Sequence, residues 1–207
     1  MASVLTIIQT TQDGCGKING YKFCCHCFVN QSDGGGDCLL ILAMLKMHKN
    51  FPVWTPHVTV AAIVERQFGE QTRFLMVRED TRRGIKINQP AGHWEAEESL
   101  IQAVQREVLE ESGYEFTPSA LLGVYVSDRW DKDITYLRFT FIGTVGEQAV
   151  STQLDEGILS AEWLTLDEIM ANESIHRNKI VAQCLRDYQA GQRMDLALVK
   201  DLRIMNG

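Results

Sequence analysis

From residue 55 onward, the order of apolar and polar residues predicts a succession of strands. The stretch HVTVAAIVE (57–65) is β-branched and apolar, which is typical of a strand buried on at least one face. RFLMVRE (73–79) follows a GEQ turn region and is predicted to be its hairpin partner. Further strands are predicted at 120–128, 135–145 and 161–166.

Helices are predicted between and after these strands. The first follows Ser99, a suitable N-cap with Gln102 three residues later, and it ends at Gly113, a residue type that favours a left-handed cap. Strands with helices before and after them indicate an α/β layered domain. Two later helices and one long loop complete the prediction: Leu166–Ala171, His176–Ala190, and a loop at 80–98 that contains Pro90 and Gly92.

Composition divides the chain into a charge-poor start and a regularly patterned remainder. Residues 1–46 contain few charges and a DGGGD stretch, whereas residues 55–190 carry the predicted domain and residues 191–207 a C-terminal tail. We expect residues 1–46 to be a disordered leader or an upstream reading-frame extension. In the second case the native start would be Met44 or Met47.

The cysteines are concentrated in this first segment and allow two interpretations. A zinc knot could combine Cys24 and Cys27 with Cys15 and Cys38. Alternatively, the segment holds reduced thiols, as the cytosol would keep them. A structural zinc site usually shows two close cysteine pairs, and the single pair here favours the second interpretation.

The net charge restricts the class of binding partner, and the lengths of the apolar runs restrict the location of the protein. The chain has 207 residues, 45% hydrophobic and 23% charged, with a net charge of −7. This charge disfavours a nucleic-acid partner, but a bound divalent cation would still permit phosphorylated substrates. The longest apolar run, Leu39–Leu45, is too short for a membrane span, and MASVLTIIQTTQ lacks the basic start of a signal peptide. We therefore expect a cytoplasmic protein.

The helix after Ser99 carries the candidate chemistry. Glu107, Glu110 and Glu111 fall within an arc of about 100° on a helical wheel. Like charges at this spacing repel by about 0.2–0.5 kcal/mol per pair, and no lysine offsets them. Carboxylate oxygens are ligands that Mg²⁺ and Mn²⁺ prefer. The pattern therefore indicates that a divalent metal supplies the missing positive charge.

The same stretch resembles the signature of the Nudix hydrolase family, G-x5-E-x7-R-E-U-x-E-E-x-G-U, where U is apolar or aromatic. The resemblance implies an α/β/α sandwich around a mixed sheet, and a hydrolase that splits diphosphate linkages with Mg²⁺ or Mn²⁺. Every specified position is matched: Gly92, Glu98, Arg106, Glu107, Val108, Glu110, Glu111, Gly113 and Tyr114.

The resemblance also implies roles for the acidic helix. Glu107, Glu110 and Glu111 would be metal ligands, and one of them would help to deprotonate the attacking water. Arg106 would orient the glutamates by ion pairing.

Four further positions gain expected roles from the family, and two of these roles carry alternatives. Gly92 and Gly113 would give the loop and the helix end their turns. Glu98 would either support the metal ligands from outside or cap the helix. Glu156 resembles the position of an additional carboxylate near the metal, although a surface acid is the alternative.

Three segments narrow the resemblance to small phosphatases within the family: PHVTVAAIVE, NQPAGHWEAEESL and CLRDYQAGQRMDL. This implies a monomer that acts on nucleoside di- and triphosphates and on thiamine-pathway pyrophosphates, including hydroxymethylpyrimidine pyrophosphate and thiamine pyrophosphate. Other specificities are alternatives, namely dinucleoside polyphosphates, nucleotide sugars and RNA 5′ ends. A non-catalytic binding module of the same fold is a further alternative.

Basic residues before the helix are candidates for binding substrate phosphates. Arg78, Arg82, Arg83 and Lys86 could reach those phosphates from their loop, or form a solvated basic loop. Arg138 lies midway along a predicted strand and could project into the cleft.

The aromatic residues and histidines are candidate ring-stacking residues and candidate metal ligands, respectively. Trp130 and Tyr136 could stack on a base or pyrimidine ring, or pack in the core. His57, His93 and His176 show no mutual spacing that is typical of a metal site.

Deletion of residues 1–46 is predicted to leave the fold and the hydrolysis rate nearly unchanged, because the segment is charge-poor, interrupted by glycine and outside the family resemblance. Thermal melting and a phosphate-release assay on both chains check this. A large fall in melting temperature, or loss of stoichiometric zinc on truncation, would contradict it.

Overall fold

The computed structural model describes residues 54–128 and 134–203, together with the backbone of residues 15–18 and 21–24. In the first unit, Met1–Trp54, strands β1 (Cys15–Ile18) and β2 (Tyr21–Cys24) form an antiparallel pair that the sequence analysis did not predict. The cysteine side chains of the suggested zinc knot, both candidate start methionines and Trp130 lie outside the described residues. The predictions made for them stay predictions.

The second unit, Thr55–Gly207, contains a seven-stranded mixed sheet in its described part. Its central strand, β3, pairs antiparallel with β4 and β6 and parallel with β8. Strands β5 and β9 pair with β4, and β7 pairs with β8. The strand bounds are β3 His57–Phe68, β4 Gln71–Thr81, β5 Gly84–Asn88, β6 Ala91–His93, β7 Phe116–Asp128, β8 Thr135–Val145 and β9 Ile158–Thr165.

Alternate residues of each strand point to opposite sides, so both faces of the sheet present side chains for packing. Helices cover both faces. Helix α1 (Leu100–Ser112) packs against one face, where its Val104 and Val108 join a core with Phe141. Helix α3 (Ile180–Gln189) packs against the other face. The remaining helical elements are α2 (Leu166–Ala171) and single turns at Glu173–Ile175 and Leu196–Leu198. The α/β prediction with a mixed sheet is confirmed.

The ends of α1 follow the sequence prediction. The hydroxyl of Ser99 accepts a hydrogen bond from the Gln102 N–H at 3.1 Å, and the Gln102 side chain accepts one from the Ser99 N–H at 2.8 Å. Gly113 ends the helix with a φ of 74°, and its N–H donates to the Leu109 carbonyl. This φ lies in the region that favours glycine, so the two caps fix where the acidic helix begins and ends.

Several predicted boundaries were wrong. Residues 80–98 are not one loop, because β4 continues to Thr81 and two short strands, β5 and β6, follow. The alternation of apolar Ile85 and Ile87 around Lys86 was the signal for β5. Helix α3 begins only at Ile180, and strands β7 and β9 begin earlier than predicted. The first hairpin and helix α2 are confirmed.

In the described residues, no helix is long and apolar enough to span a membrane.

Candidate active site

Arg106 of α1 lies at the centre of a group of acidic side chains. Its Nε and Nη2 donate to the two carboxylate oxygens of Glu98 at 2.9 and 2.7 Å. Its Nη1 donates to Glu107 at 2.8 Å and to Glu110 at 2.9 Å, and Nη2 also reaches the His93 carbonyl at 3.0 Å. A guanidinium has five N–H donors, so every one of them is used. One arginine thereby fixes three glutamates, Glu98, Glu107 and Glu110. The family resemblance implied ion pairs of Arg106 with Glu107, Glu110 and Glu111, and the described residues show the first two but none with Glu111.

This arrangement decides the role of Glu98. The carboxylate of Glu98 binds Arg106 through both oxygens and also accepts the Glu95 N–H at 3.0 Å. The hydrogen bond from Arg106 lowers the pKa of Glu98, which keeps this carboxylate ionised. Glu98 therefore supports Arg106 from the loop before the helix, and Ser99 is the residue that caps α1.

Gly92 has a different role from the predicted turn. It lies in strand β6 opposite Val60. A Cβ atom at this position would overlap the carboxylate of Glu107. The absence of a side chain at Gly92 therefore leaves the space that Glu107 occupies beside the sheet.

Glu107 and Glu111 are buried carboxylates, each only 7% exposed. Burial raises the pKa of both groups, and it raises that of Glu111 to about 9 even though the Ala91 N–H donates to Glu111 at 2.7 Å. The charge of Glu79 adds to the rise for Glu111. Within residues 54–128 and 134–203, Glu111 forms no ion pair. The charge of Arg138 lowers the pKa of Glu111 only in part, so Glu111 is a buried acid whose ionised form has no direct ion-pair partner among these residues.

A polar cavity of about 440 Å³ opens beside these groups. Its acidic wall includes Asp155, whose N–H donates to the Glu110 carbonyl at 2.9 Å. The predicted extra carboxylate, Glu156, is exposed and does not line this cavity. The acid of the LDEG stretch that lines the cavity is therefore the neighbouring Asp155, which the sequence analysis did not single out. The lining residues are Gly92, His93, Glu95, Arg106, Glu107, Glu110, Glu111 and Asp155.

The donor set fits a divalent cation by its chemistry. No three metal-ligating side chains of the described residues converge closely enough to hold an ion, since Arg106 holds Glu107 and Glu110. Carboxylate oxygens nevertheless dominate the cavity wall, and Arg106 is the one basic guanidinium or ammonium group among its lining residues. Several carboxylates with a single guanidinium among them are the environment that hard cations such as Mg²⁺ neutralise.

The predicted phosphate-binding residues lie elsewhere. Arg78 pairs with Glu162 at 2.7 Å. Arg82 lies in the turn between β4 and β5, and Lys86 lies in β5. Arg138 is buried on β8, where it donates to Asn88 at 3.4 Å. None of these four belongs to the described lining of the cavity.

The C-terminal segment, which the sequence analysis treated as a tail, contacts the loop that carries Glu98. Arg203 donates to the Ala96 carbonyl at 3.1 Å and to the Glu98 carbonyl at 3.0 Å. Its guanidinium also lies 4.9 Å from the centre of the Trp94 ring, whose Nε1 donates to the same Glu98 carbonyl at 2.7 Å. Arg203 therefore stabilises the backbone that presents Glu98 to Arg106.

Comparison with known proteins agrees with this geometry. The family described as the NUDIX domain matches residues 55–184. Phosphatase NudJ of Escherichia coli (strain K12) is 34% identical over 149 residues, which cover 72% of this chain and 94% of that protein. A solved NUDIX hydrolase from Nitrosomonas europaea is 45% identical with a TM-score of 0.66, covering 71% of this chain and 97% of that one. An Ap4A hydrolase binary complex from C. elegans is 17% identical, with a TM-score of 0.54 and coverage of 65% and 96%, and shows the fold alone.

Mg²⁺ binding is predicted to release a proton and to strengthen as the pH rises toward 9. Burial raises the pKa of Glu111 from 4.5 to about 9, so the metal-free protein holds this proton at neutral pH and a metal ligand must lose it. The same shift predicts that metal-free stability falls as the pH rises between these two values, because the folded state then binds more protons than the unfolded chain.

Calorimetric titration with Mg²⁺ in buffers of different ionisation enthalpy measures the released protons. Glu111→Gln should abolish the release, whereas Glu110→Gln, which alters a side chain that is 44% exposed, should retain it. Metal binding by the wild type without proton release at pH 7 would contradict the assignment.

Arg203→Ala is predicted to lower kcat by about three- to tenfold, the size expected for losing an exposed cation–π contact and two hydrogen bonds. Arg193→Ala is the matched control, because Arg193 also stacks on an aromatic ring, that of Tyr188, at 4.0 Å but does not contact the Glu98 loop. Steady-state kinetics of both variants check this, and equal losses would contradict a specific role for Arg203.

Proposed function

The chain belongs to the Nudix family, and on that premise we propose that it is a metal-dependent phosphatase of small molecules that end in a di- or triphosphate. It is a hydrolase that acts on phosphoanhydrides, and its likeness to Phosphatase NudJ supports a phosphatase activity within the family. The metal, the substrates and the residue roles below are our proposals.

The observation that carries the proposal is the pair of buried carboxylates at the cavity. Glu107 and Glu111 lie against β6, where burial opposes their ionisation, and Arg106 holds the first of them from the side. A protein tolerates such a group where a bound cation compensates it. The cavity next to it is polar and open, as a phosphorylated substrate requires.

In this proposal Glu107, Glu110 and Glu111 hold Mg²⁺ or Mn²⁺. When bound, the ion neutralises charge on the phosphate oxygens and lowers the pKa of a coordinated water. Arg106 orients the carboxylates through its Nη1, and Glu98 keeps Arg106 in place.

The proposed reaction is direct hydrolysis of the anhydride. The oxygen of a water molecule attacks the terminal phosphorus, the bond from that phosphorus to the bridging oxygen breaks, and the bridging oxygen leaves with the shortened substrate. A carboxylate takes the proton of the attacking water. Glu110 and Asp155 suit this step, because both line the cavity and neither is buried.

The proposed substrates are nucleoside di- and triphosphates and thiamine-pathway pyrophosphates, including hydroxymethylpyrimidine pyrophosphate and thiamine pyrophosphate. The segments shared with the family's small phosphatases support this choice, and the net charge of −7 disfavours RNA 5′ ends. The cytoplasmic location and the monomeric state stay predictions.

A phosphate-release screen in the presence of Mg²⁺ tests the substrate class. It should include the proposed substrates beside dinucleoside polyphosphates and nucleotide sugars. Orthophosphate release from the first group is expected, while cleavage of the second group alone would refute the specificity and leave the anhydride chemistry intact.

Glu107→Gln and Glu111→Gln are each predicted to lower kcat by at least about a hundredfold, because part of the charge stabilisation by the metal is lost. Glutamine keeps the shape of the side chain but is not an anionic ligand. Rates are measured beside thermal melting with and without Mg²⁺.

In metal-free protein, both variants should melt at or slightly above the wild-type temperature, since the substitution removes a buried acid and repulsion within the helix. Mg²⁺ should then stabilise the wild type more than either variant. Near-normal turnover, or inactivity explained by unfolding, would show that these glutamates are not the metal site.

A further inference from the structure

Three rings lie together at one edge of the sheet. His57 begins β3, His93 ends β6, and Tyr136 lies at the start of β8. Strand pairing brings them together, because His57 lies opposite Tyr136 in the parallel pair and Thr59 lies opposite His93 in the antiparallel pair. Residues two apart on a strand share a face, so all three rings lie on the α3 side of the sheet.

The three rings contact one another. The centre of the His57 ring is 5.6 Å from that of His93 and 5.6 Å from that of Tyr136, and His93 and Tyr136 are 6.3 Å apart. Nδ1 of His57 lies 3.4 Å from Nε2 of His93, within hydrogen-bonding range. The interplanar angles of 65° and 64° at His57 are those of edge-to-face contacts.

These rings face solvent rather than the core. His57 and His93 are exposed and Tyr136 is half-buried. His93 also lines the carboxylate cavity, and its own carbonyl accepts a hydrogen bond from Arg106. His93 thus belongs both to the cavity lining and to the ring cluster, so the cluster adjoins the cavity through this residue.

A polar group lies beside the rings on the same strand. Arg138 follows Tyr136 by two residues and so shares its face of the sheet. It is 6% exposed, its only hydrogen bond among the described residues goes to Asn88 at 3.4 Å, and it forms no ion pair within them. A buried guanidinium with so few partners can donate to acceptor atoms of a ligand.

We propose that His57, His93 and Tyr136 form a subsite that stacks a planar aromatic ring of the substrate, such as a nucleobase or a pyrimidine. This inference rests on the proposed function for the diphosphate end of the substrate. Preorganised rings lose little freedom when a ligand stacks on them, which favours ring-bearing substrates over ringless ones.

The test compares a nucleoside triphosphate with inorganic tripolyphosphate, which has the same anhydride but no ring. The measured quantity is the ratio of kcat/KM for the two substrates. His57→Ala and Tyr136→Ala should each lower this ratio about tenfold or more, as expected for the loss of a base–aromatic stack. The change should appear chiefly in KM for the nucleoside triphosphate.

Two controls separate stacking from damage to the fold. Tyr136→Phe keeps the ring and should keep the ratio. Phe68→Ala removes a 41% exposed aromatic ring at the opposite end of the same strand β3, and it should also keep the ratio. An unchanged ratio in both alanine variants, or an equal fall in the Phe68 variant, would overturn the subsite.

A binding measurement distinguishes failure of the subsite from failure of the proposed function. Calorimetry without turnover compares a nucleoside diphosphate with inorganic pyrophosphate on the wild type and on Tyr136→Ala. Tighter binding of the nucleoside diphosphate that is lost in the variant supports the subsite even if no substrate is hydrolysed. Equal affinities of the two ligands for the wild type would overturn it even if hydrolysis is efficient.

Discussion

The hydrogen bonds of Arg106 are the interaction on which the candidate site depends. A single guanidinium binds Glu98 in the loop, Glu107 and Glu110 on the helix, and the His93 carbonyl at the end of β6. These groups come from three separate elements, so one side chain fixes the loop, the helix and the sheet edge relative to each other. Charge-assisted hydrogen bonds of this kind are stronger and more directional than neutral ones.

The rest of the fold makes that geometry possible. The apolar side of α1, with Val104 and Val108, anchors the helix to the sheet, and the caps at Ser99 and Gly113 fix its length. The acidic side then lies along β6, where the bare backbone of Gly92 leaves space for Glu107. Burial of Glu107 and Glu111 opposes their ionisation. The packing that positions these carboxylates therefore also makes their ionised forms unfavourable unless a cation binds beside them.

Sequence reasoning identified the parts of the site that are local in the chain. The acidic arc and the caps of α1 follow from helical periodicity, and the fold class follows from the order of strands and helices. Glu156 was named as the extra carboxylate from the sequence, whereas Asp155 lines the cavity, because its position depends on a backbone hydrogen bond to Glu110. Sequence reasoning also missed Arg203, whose contacts with the loop at residues 94–98 join positions more than a hundred residues apart. The prediction of a turn at Gly92 was wrong. Gly92 lies in β6, and a side chain there would overlap Glu107 of helix α1, a contact between two elements that the local sequence does not reveal.

The central claim is that Glu98 acts through Arg106, and a double-mutant cycle on kcat/KM tests it most directly. Arg106→Gln, Glu98→Gln and the double variant are compared with the wild type under the same Mg²⁺ concentration. Residues that act as a unit give non-additive losses, so the double variant should be about as slow as the slower single variant. Losses that multiply fully in the double variant would mean that the two residues act independently, and would contradict this account.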